Sequence, residues 1–101
     1  MNMRKILSLL FLCLALSGCV SVVPRQRAMV ALSAKARAAC VAQPDRCEAL
    51  RPCSRETHDS IVAWTAYSSA VAKDMDETDP LANALIVEGS ARLTCATVGV
   101  K

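Results

Sequence analysis

The sequence has few of the residues that usually build a catalytic or metal site. It holds one His, three Gly and only 3% aromatic residues among 101, so a histidine pair for a metal and a glycine-rich phosphate loop are both missing. A strong basic excess is missing too, since the formal charge is +3, and we expect no nucleic-acid partner. This length and composition predict one small domain that is not an enzyme and has no metal site.

The chain begins with two cations and a short hydrophobic run. Arg4 and Lys5 precede about eleven mostly apolar residues, from Ile6 to Leu16. A helix that crosses a bilayer needs about 20 consecutive apolar residues. The run is too short for that role and is typical of the central region of a signal peptide.

The hydrophobic run ends in Leu16-Ser17-Gly18-Cys19, which resembles the lipobox of bacterial lipoproteins. The resemblance implies that Cys19 receives a diacylglycerol thioether, that the chain is cut before it, and that its amino group receives an acyl chain such as palmitate. Leu16, Ser17 and Gly18 are then the recognition positions, and we expect no cofactor beyond this covalent lipid. The alternatives are an ordinary secretory signal with a chance cysteine, and a short buried helix.

The same resemblance divides the chain into three parts. Residues 1–18 are the lipoprotein signal peptide, residues 19–24 a lipidated tether, and residues 25–101 a helical periplasmic domain. Val20 follows the cysteine, whereas lipoproteins retained at the inner membrane typically have Asp there. The resemblance therefore implies a lipid anchor at the periplasmic face of the outer membrane, with membrane lipid as one partner.

After the tether, apolar residues recur every three or four positions and predict helices over about 25–42, 54–76 and 80–97. Pro44 and Pro52 are expected to interrupt the helical structure, leaving a single helical turn from Asp45 to Leu50 between them. The second helix is expected to end near Asp76, because acidic residues are unfavourable at a helix C-terminus, and Gly99 to end the third. The predicted fold class is all-α, a small antiparallel three-helix arrangement stapled by disulfides.

Four cysteines remain after the signal peptide and the lipidated residue, namely Cys40, Cys47, Cys53 and Cys95. An even number in a small exported chain indicates disulfides, and three pairings are open. Antiparallel helices favour Cys40–Cys47 with Cys53–Cys95, because the end of the third helix then lies beside the start of the second. Zinc is disfavoured, since its paired cysteines are usually two to four residues apart.

Two features of the helical region bear on partners. Trp64 and Tyr67 lie at helical spacing, so they are either core residues or a candidate contact for a partner protein. Charge is also uneven: Arg25 to Arg55 holds seven cations and two acids, and Glu56 to Lys101 holds seven acids and three cations. The basic part either attracts anionic headgroups or complements the acidic part inside the fold.

The chain resembles the outer-membrane spanin subunits of tailed phages in its size, its lipobox and its small domain with paired cysteines. That resemblance implies a partnership with an inner-membrane subunit, through which the outer membrane is disrupted during host cell lysis. The alternative is a bacterial envelope lipoprotein that acts in entry or superinfection exclusion, or as an assembly factor of an envelope complex. Both functions consist of binding a protein partner in the envelope.

Overall fold

A computed structural model describes residues 21–101 and shows an all-α fold, as the sequence predicted. Three helices follow one another, α1 (Val22–Ala42), α2 (Cys47–Ala72) and α3 (Thr78–Thr97), and a short 3-10 turn, Pro44–Arg46, joins the first two. The described range contains no strand. The expected signal peptide (1–18), its recognition positions Leu16, Ser17 and Gly18, and the expected lipidation site Cys19 lie outside the described residues.

Helix α1 begins earlier than the expected Arg25 and takes in part of the predicted tether. It starts at Val22 with Ser21 as its N-cap, so Pro24 lies in the first turn. Proline is tolerated there, because the amide groups of the first turn have no partner within the helix. The first described helix therefore begins three residues after Cys19, within the range 19–24 that the sequence predicted as a tether.

Helix α2 is longer than predicted at its start. It begins at Cys47 and continues through Pro52, where the sequence predicted a break. A proline inside a helix removes one backbone hydrogen bond and costs about 3 kcal/mol. Leu50 lies two positions before it and Cys53 directly after it, and both are almost fully buried. Burial of this first stretch of α2 offsets the cost of the proline, so the predicted separate turn and the predicted start at Ser54 are both wrong.

Helix α2 ends at Ala72, not near Asp76. The chain leaves the helix through Asp74, whose φ is 53°, and the Met75 N–H donates to the Ala70 carbonyl at 2.9 Å. This pattern of a left-handed residue and a backward hydrogen bond is a Schellman motif. A left-handed residue therefore stops the helix before it reaches the acidic cluster.

Helix α3 starts two residues before the predicted Pro80. The Thr78 N–H donates to the Asp76 carboxylate at 3.0 Å, and this hydrogen bond holds the pKa of Asp76 below its ordinary value. Because the carboxylate takes up one of the amide groups that a helix N-terminus leaves unpaired, Asp76 helps to begin α3. The sequence assigned this residue to the end of α2.

Gly99 ends α3 in the way that the sequence predicted. Its φ is +80°, and the Val100 N–H donates to the Cys95 carbonyl at 2.8 Å. A side chain is strained at positive φ, so Gly99→Ala should lower the free energy of unfolding by about 1 kcal/mol. Gly89 is the matched control, because it is helical with nothing within 4 Å of an added Cβ.

Gly89→Ala should raise the free energy of unfolding by about 0.5–1 kcal/mol, since alanine loses less conformational freedom than glycine in a helix. Urea unfolding of both variants beside the parent chain measures the two effects. A Gly99→Ala variant as stable as the parent would show that the left-handed turn does not constrain residue 99.

The two disulfides follow the pairing that the sequence favoured. Cys40 bonds to Cys47 with their Cα atoms 4.6 Å apart, and Cys53 bonds to Cys95 with their Cα atoms 4.7 Å apart. The first closes the connection between α1 and α2. The second ties the early part of α2 to the end of α3, and so determines which ends of these helices lie together.

Two groups of buried residues form the core, and small side chains are common in both. The larger group lies around the Cys53–Cys95 disulfide and consists of Met29, Leu32, Ala36, Leu50, Cys53, Ala91, Cys95 and Val100. The smaller group lies farther along α2 and consists of Ala63, Trp64, Tyr67 and Ala84. Alanines let the helices approach closely, but they bury little apolar area. Disulfide bonds and polar contacts between helices therefore contribute a larger share of the stability here than in a larger domain.

Candidate functional site

A buried carboxylate joins all three helices. Glu88 of α3 has 5% of its surface exposed, and its Oε1 accepts a hydrogen bond from Trp64 Nε1 of α2 at 3.0 Å. Its Oε2 accepts from Arg25 Nη1 of α1 at 2.8 Å and from Arg92 Nε at 3.2 Å. Since a buried charge is costly unless it is paired and hydrogen-bonded, these three donors allow Glu88 to stay in the interior.

The aromatic residues belong to the same interior cluster. The Arg25 guanidinium lies 5.3 Å from the centre of the Trp64 ring, within range of a cation–π interaction. The Trp64 and Tyr67 rings meet edge to face with their centres 5.8 Å apart. Both residues are buried, at 0% and 2% exposure. The interpretation of Trp64 and Tyr67 as core residues is therefore confirmed, and their interpretation as a partner contact is wrong for the folded chain.

Sequence reasoning missed Glu88, although a signal for it was present. Ala84, Glu88, Ala91 and Cys95 recur at spacings of four, three and four, which places them on one side of a helix. Ala84, Ala91 and Cys95 are buried, and Arg92 follows Glu88 by four residues, the distance at which side chains on a helix meet. An acid among small core positions is a signal for a buried ion pair.

The opposite side of α3 presents an apolar surface to solvent. Ile86 and Leu93 are 70% and 71% exposed, and Leu85 is 41% exposed. Exposed small residues lie between and beyond them at the same helical spacing, namely Ala82, Gly89 and Ala96. We call these six residues the outer face of α3. Two cations lie at its edge: Arg92, whose guanidinium bonds to Glu88, and Lys101, which lines a cleft with Arg92 and Ala96.

The outer face of α3 suits contact with another helix. Ile86 and Leu93 form a ridge, and Ala82, Gly89 and Ala96 leave grooves into which side chains of a second helix fit. Nothing lies within 4 Å of the place that a Cβ on Gly89 would occupy, so a neighbouring backbone can approach closely. A contiguous apolar surface on a small domain commonly marks a site of interaction.

Residues 21–101 give little support for a metal site or for a membrane-spanning helix. No three His, Cys, Asp or Glu side chains gather there as a metal site would need. His58 is exposed on α2. None of the three described helices is both long and apolar enough to span a bilayer. Within this part of the chain, the buried Glu88 cluster and the outer face of α3 are the features to explain.

Charge pairing between the basic and acidic parts of the chain is limited. Of the ion pairs among the described residues, Arg25–Glu88 alone joins the two parts, while Glu48–Arg51 and Glu88–Arg92 lie within single helices. Complementation inside the fold therefore accounts for one cation of the basic part. Most of the uneven charge remains at the surface.

Comparison of the chain with protein-family models, with curated proteins and with solved structures finds no match.

Proposed function

We propose that this chain is a lipid-anchored lipoprotein of the outer membrane that acts by binding a protein partner, as the outer-membrane subunit of a phage spanin pair. The outer face of α3 carries the binding part of the proposal, because Ile86 and Leu93 are 70% and 71% exposed in a domain with a small core. The resemblance of Leu16–Cys19 to a lipobox supports the anchor. Under this proposal the partner is the inner-membrane subunit.

The proposed partner segment is an amphipathic helix with an uncharged apolar stripe. Residues 82 to 96 extend about 21 Å along α3, which corresponds to about four turns of a facing helix. Apolar anchors at positions three and four residues apart are the usual way in which a helix binds such a surface. The longest helix among residues 21–101 has 26 residues, or about 39 Å, so under this proposal the partner supplies the reach across the periplasm.

The lipid anchor predicts the outcome of Cys19→Ser. The thioether cannot form on serine, so the variant should keep its signal peptide and lack the mass of the acyl chains. Intact-mass spectrometry of membrane fractions distinguishes the two proteins, and Cys13→Ser, a change within the expected signal peptide, is the matched control. A mature amino terminus at another residue would contradict the proposal.

The partner-binding role predicts that deletion of the gene from its phage leaves infected cells spherical but intact, because the outer membrane is no longer disrupted. Chains with Ile86→Asp and Leu93→Asp should fail to restore lysis, since a charge on the outer face of α3 opposes burial against a partner. Val62→Asp is the matched control, because Val62 is 53% exposed on α2, away from this face.

Time-resolved lysis of infected cultures measures these effects, and circular dichroism of each purified variant verifies that the helices are retained. Normal lysis after the deletion would exclude the spanin role. If the deletion instead changes the plating of a second phage, the alternative role in superinfection exclusion is favoured.

A further inference from the structure

The exposed side of α1 has an unusual composition for the surface of a small domain. Val23, Val30 and Val41 are 57%, 54% and 76% exposed. At 100° per residue they fall along one line of the helix, on the side opposite the buried Met29, Leu32 and Ala36. Three further exposed residues share this side, Arg27, Ala34 and Arg37. We call these six residues the outer face of α1.

Helix α1 is basic, and two of its cations are free to act outside the chain. It contains Arg25, Arg27, Lys35 and Arg37 and no acidic residue. Arg25 bonds to Glu88, and Lys35 donates to the Lys101 carbonyl at 2.7 Å. Arg27 and Arg37 form no ion pair within the described chain. The outer face of α1 therefore combines valines with unpaired arginines.

The position of α1 in the chain indicates what this face meets. Its first residue, Val22, follows Cys19 by three residues, a distance of at most about 10 Å even when fully extended. A lipid on Cys19 therefore keeps the start of α1 at the bilayer surface. Cations close to an anionic bilayer are attracted to its headgroups, and the apolar stem of an arginine can lie beside valines while its guanidinium stays among the phosphates.

We propose that the outer face of α1 lies on the surface of an anionic phospholipid bilayer, an inference that rests on the lipid anchor of the proposed function. Val23, Val30 and Val41 enter the boundary between headgroups and acyl chains, and Arg27 and Arg37 contact phosphates. Arg37 also lines a shallow cleft with His58 at the edge of this face, which adds a second nitrogen donor near the headgroups. The bilayer then orients the domain, which would otherwise swing on its anchor.

The difference between α1 and α3 supports a membrane over a protein as the occupant. None of the six residues of the outer face of α3 is a cation, whereas the outer face of α1 includes two unpaired arginines and lies next to the proposed anchor. Each cation near an anionic surface contributes attraction, and the anchor removes most of the cost of bringing the two surfaces together. Charge and proximity therefore both favour the bilayer for α1.

The test uses the full lipidated chain, purified from cell membranes and reconstituted into vesicles that contain brominated lipid. A tryptophan is introduced as Val30→Trp, and Val62→Trp is the matched control, because Val30 and Val62 are 54% and 53% exposed on different helices. The native Trp64 is buried in both proteins. Vesicles of phosphatidylcholine with and without phosphatidylglycerol separate the apolar contribution from the charged one.

We expect the bromines to quench most of the emission of the tryptophan at position 30 in phosphatidylglycerol vesicles, and little of that at position 62. Replacing Arg27 and Arg37 with Gln should lower the ratio of membrane-facing to free domains by roughly fivefold for each cation. Added salt should weaken the quenching. These results together support the proposal.

Equal quenching at positions 30 and 62, or none at position 30, in a protein whose Cys19 carries lipid would overturn the membrane-facing helix and leave the lipoprotein proposal intact. A processed chain whose mass shows no lipid would overturn both. Intact-mass spectrometry of the reconstituted sample distinguishes the two failures. Retention of quenching in the Arg27→Gln, Arg37→Gln variant would contradict the role of the arginines.

Discussion

Replacing both Cys53 and Cys95 with alanine should lower the free energy of unfolding by about 4 kcal/mol. The bond links residues 42 positions apart, and closing so long a loop removes much of the conformational freedom of the unfolded chain. Both cysteines are fully buried in the larger core group, so the change also removes packing. Small domains have little stability to spare, and we expect the variant to be largely unfolded at 37 °C.

The Cys40→Ala, Cys47→Ala pair is the matched control for this disulfide. It opens a loop whose ends are 7 positions apart, and the same loop-closure argument gives about 2.5 kcal/mol. Urea unfolding followed by circular dichroism at 222 nm measures both variants in the oxidised state. Equal losses in the two variants would mean that loop length does not determine the stabilisation.

The helices and the cysteine pairing could be predicted because they follow from local patterns and from topology. Alanine-rich periodic segments predict helices, and consecutive helices with short connections bring Cys53 to Cys95. Gly99 was predicted for a local reason as well, since a helix end favours a residue that accepts positive φ. These features depend on residues close in sequence, or on a small number of ways to pack three helices.

The helix boundaries were predicted less well where burial overrides local preference. Pro52 is a helix breaker by its chemistry, yet Leu50 and Cys53 beside it are buried, and packing keeps the helix continuous. The end of α2 depends on Asp74 in a left-handed conformation, which composition alone does not reveal. Contacts with other parts of the fold decide both cases.

The candidate site was predicted in part. The sequence identified Trp64 and Tyr67 as a pair of large side chains, but only the fold reveals that Arg25, Trp64 and Glu88 meet, since Arg25 and Glu88 are 63 positions apart. The attraction of the basic part to anionic headgroups was one of two expectations, but the apolar residues on the outer faces of α1 and α3 were missed for a related reason. Each helix has apolar residues on two opposite sides, and a pattern of apolar residues does not state which side is buried.

The disulfide and the buried carboxylate hold α2 and α3 together at different places. Cys53–Cys95 joins them within the larger core group, and Trp64–Glu88 joins them within the smaller one. Arg25 connects α1 to the same carboxylate. If α3 carries the partner surface and α1 the membrane surface, Glu88 supplies an ion pair between the two helices, beside their packing in the larger core group.

Glu88→Ala is expected to lower the free energy of unfolding by about 3 kcal/mol. The change leaves the buried Trp64 N–H without its acceptor, and an unsatisfied buried donor costs about 1–3 kcal/mol. It also removes the counter-ion of Arg25 and the packing of the Glu88 side chain between the helices, and both losses add to the cost. The Arg25 side chain is 38% exposed, so water relieves part of the cost of the lost ion pair, and the lost hydrogen bond to Trp64 remains the largest contribution.

Glu88→Gln distinguishes the contribution of the hydrogen bond from Trp64 Nε1 from that of the negative charge on Glu88. Glutamine has nearly the same shape, and its carbonyl oxygen can accept from Trp64 Nε1, while both arginines can turn to solvent. We therefore expect Glu88→Gln to lower the free energy of unfolding by about 1 kcal/mol. Arg92→Ala should lower it by no more than this, because the Arg92 side chain is 53% exposed. Urea unfolding followed by Trp64 fluorescence measures the series. If Glu88→Gln proves as unstable as Glu88→Ala, the charge and not the hydrogen bond to Trp64 holds the three helices together.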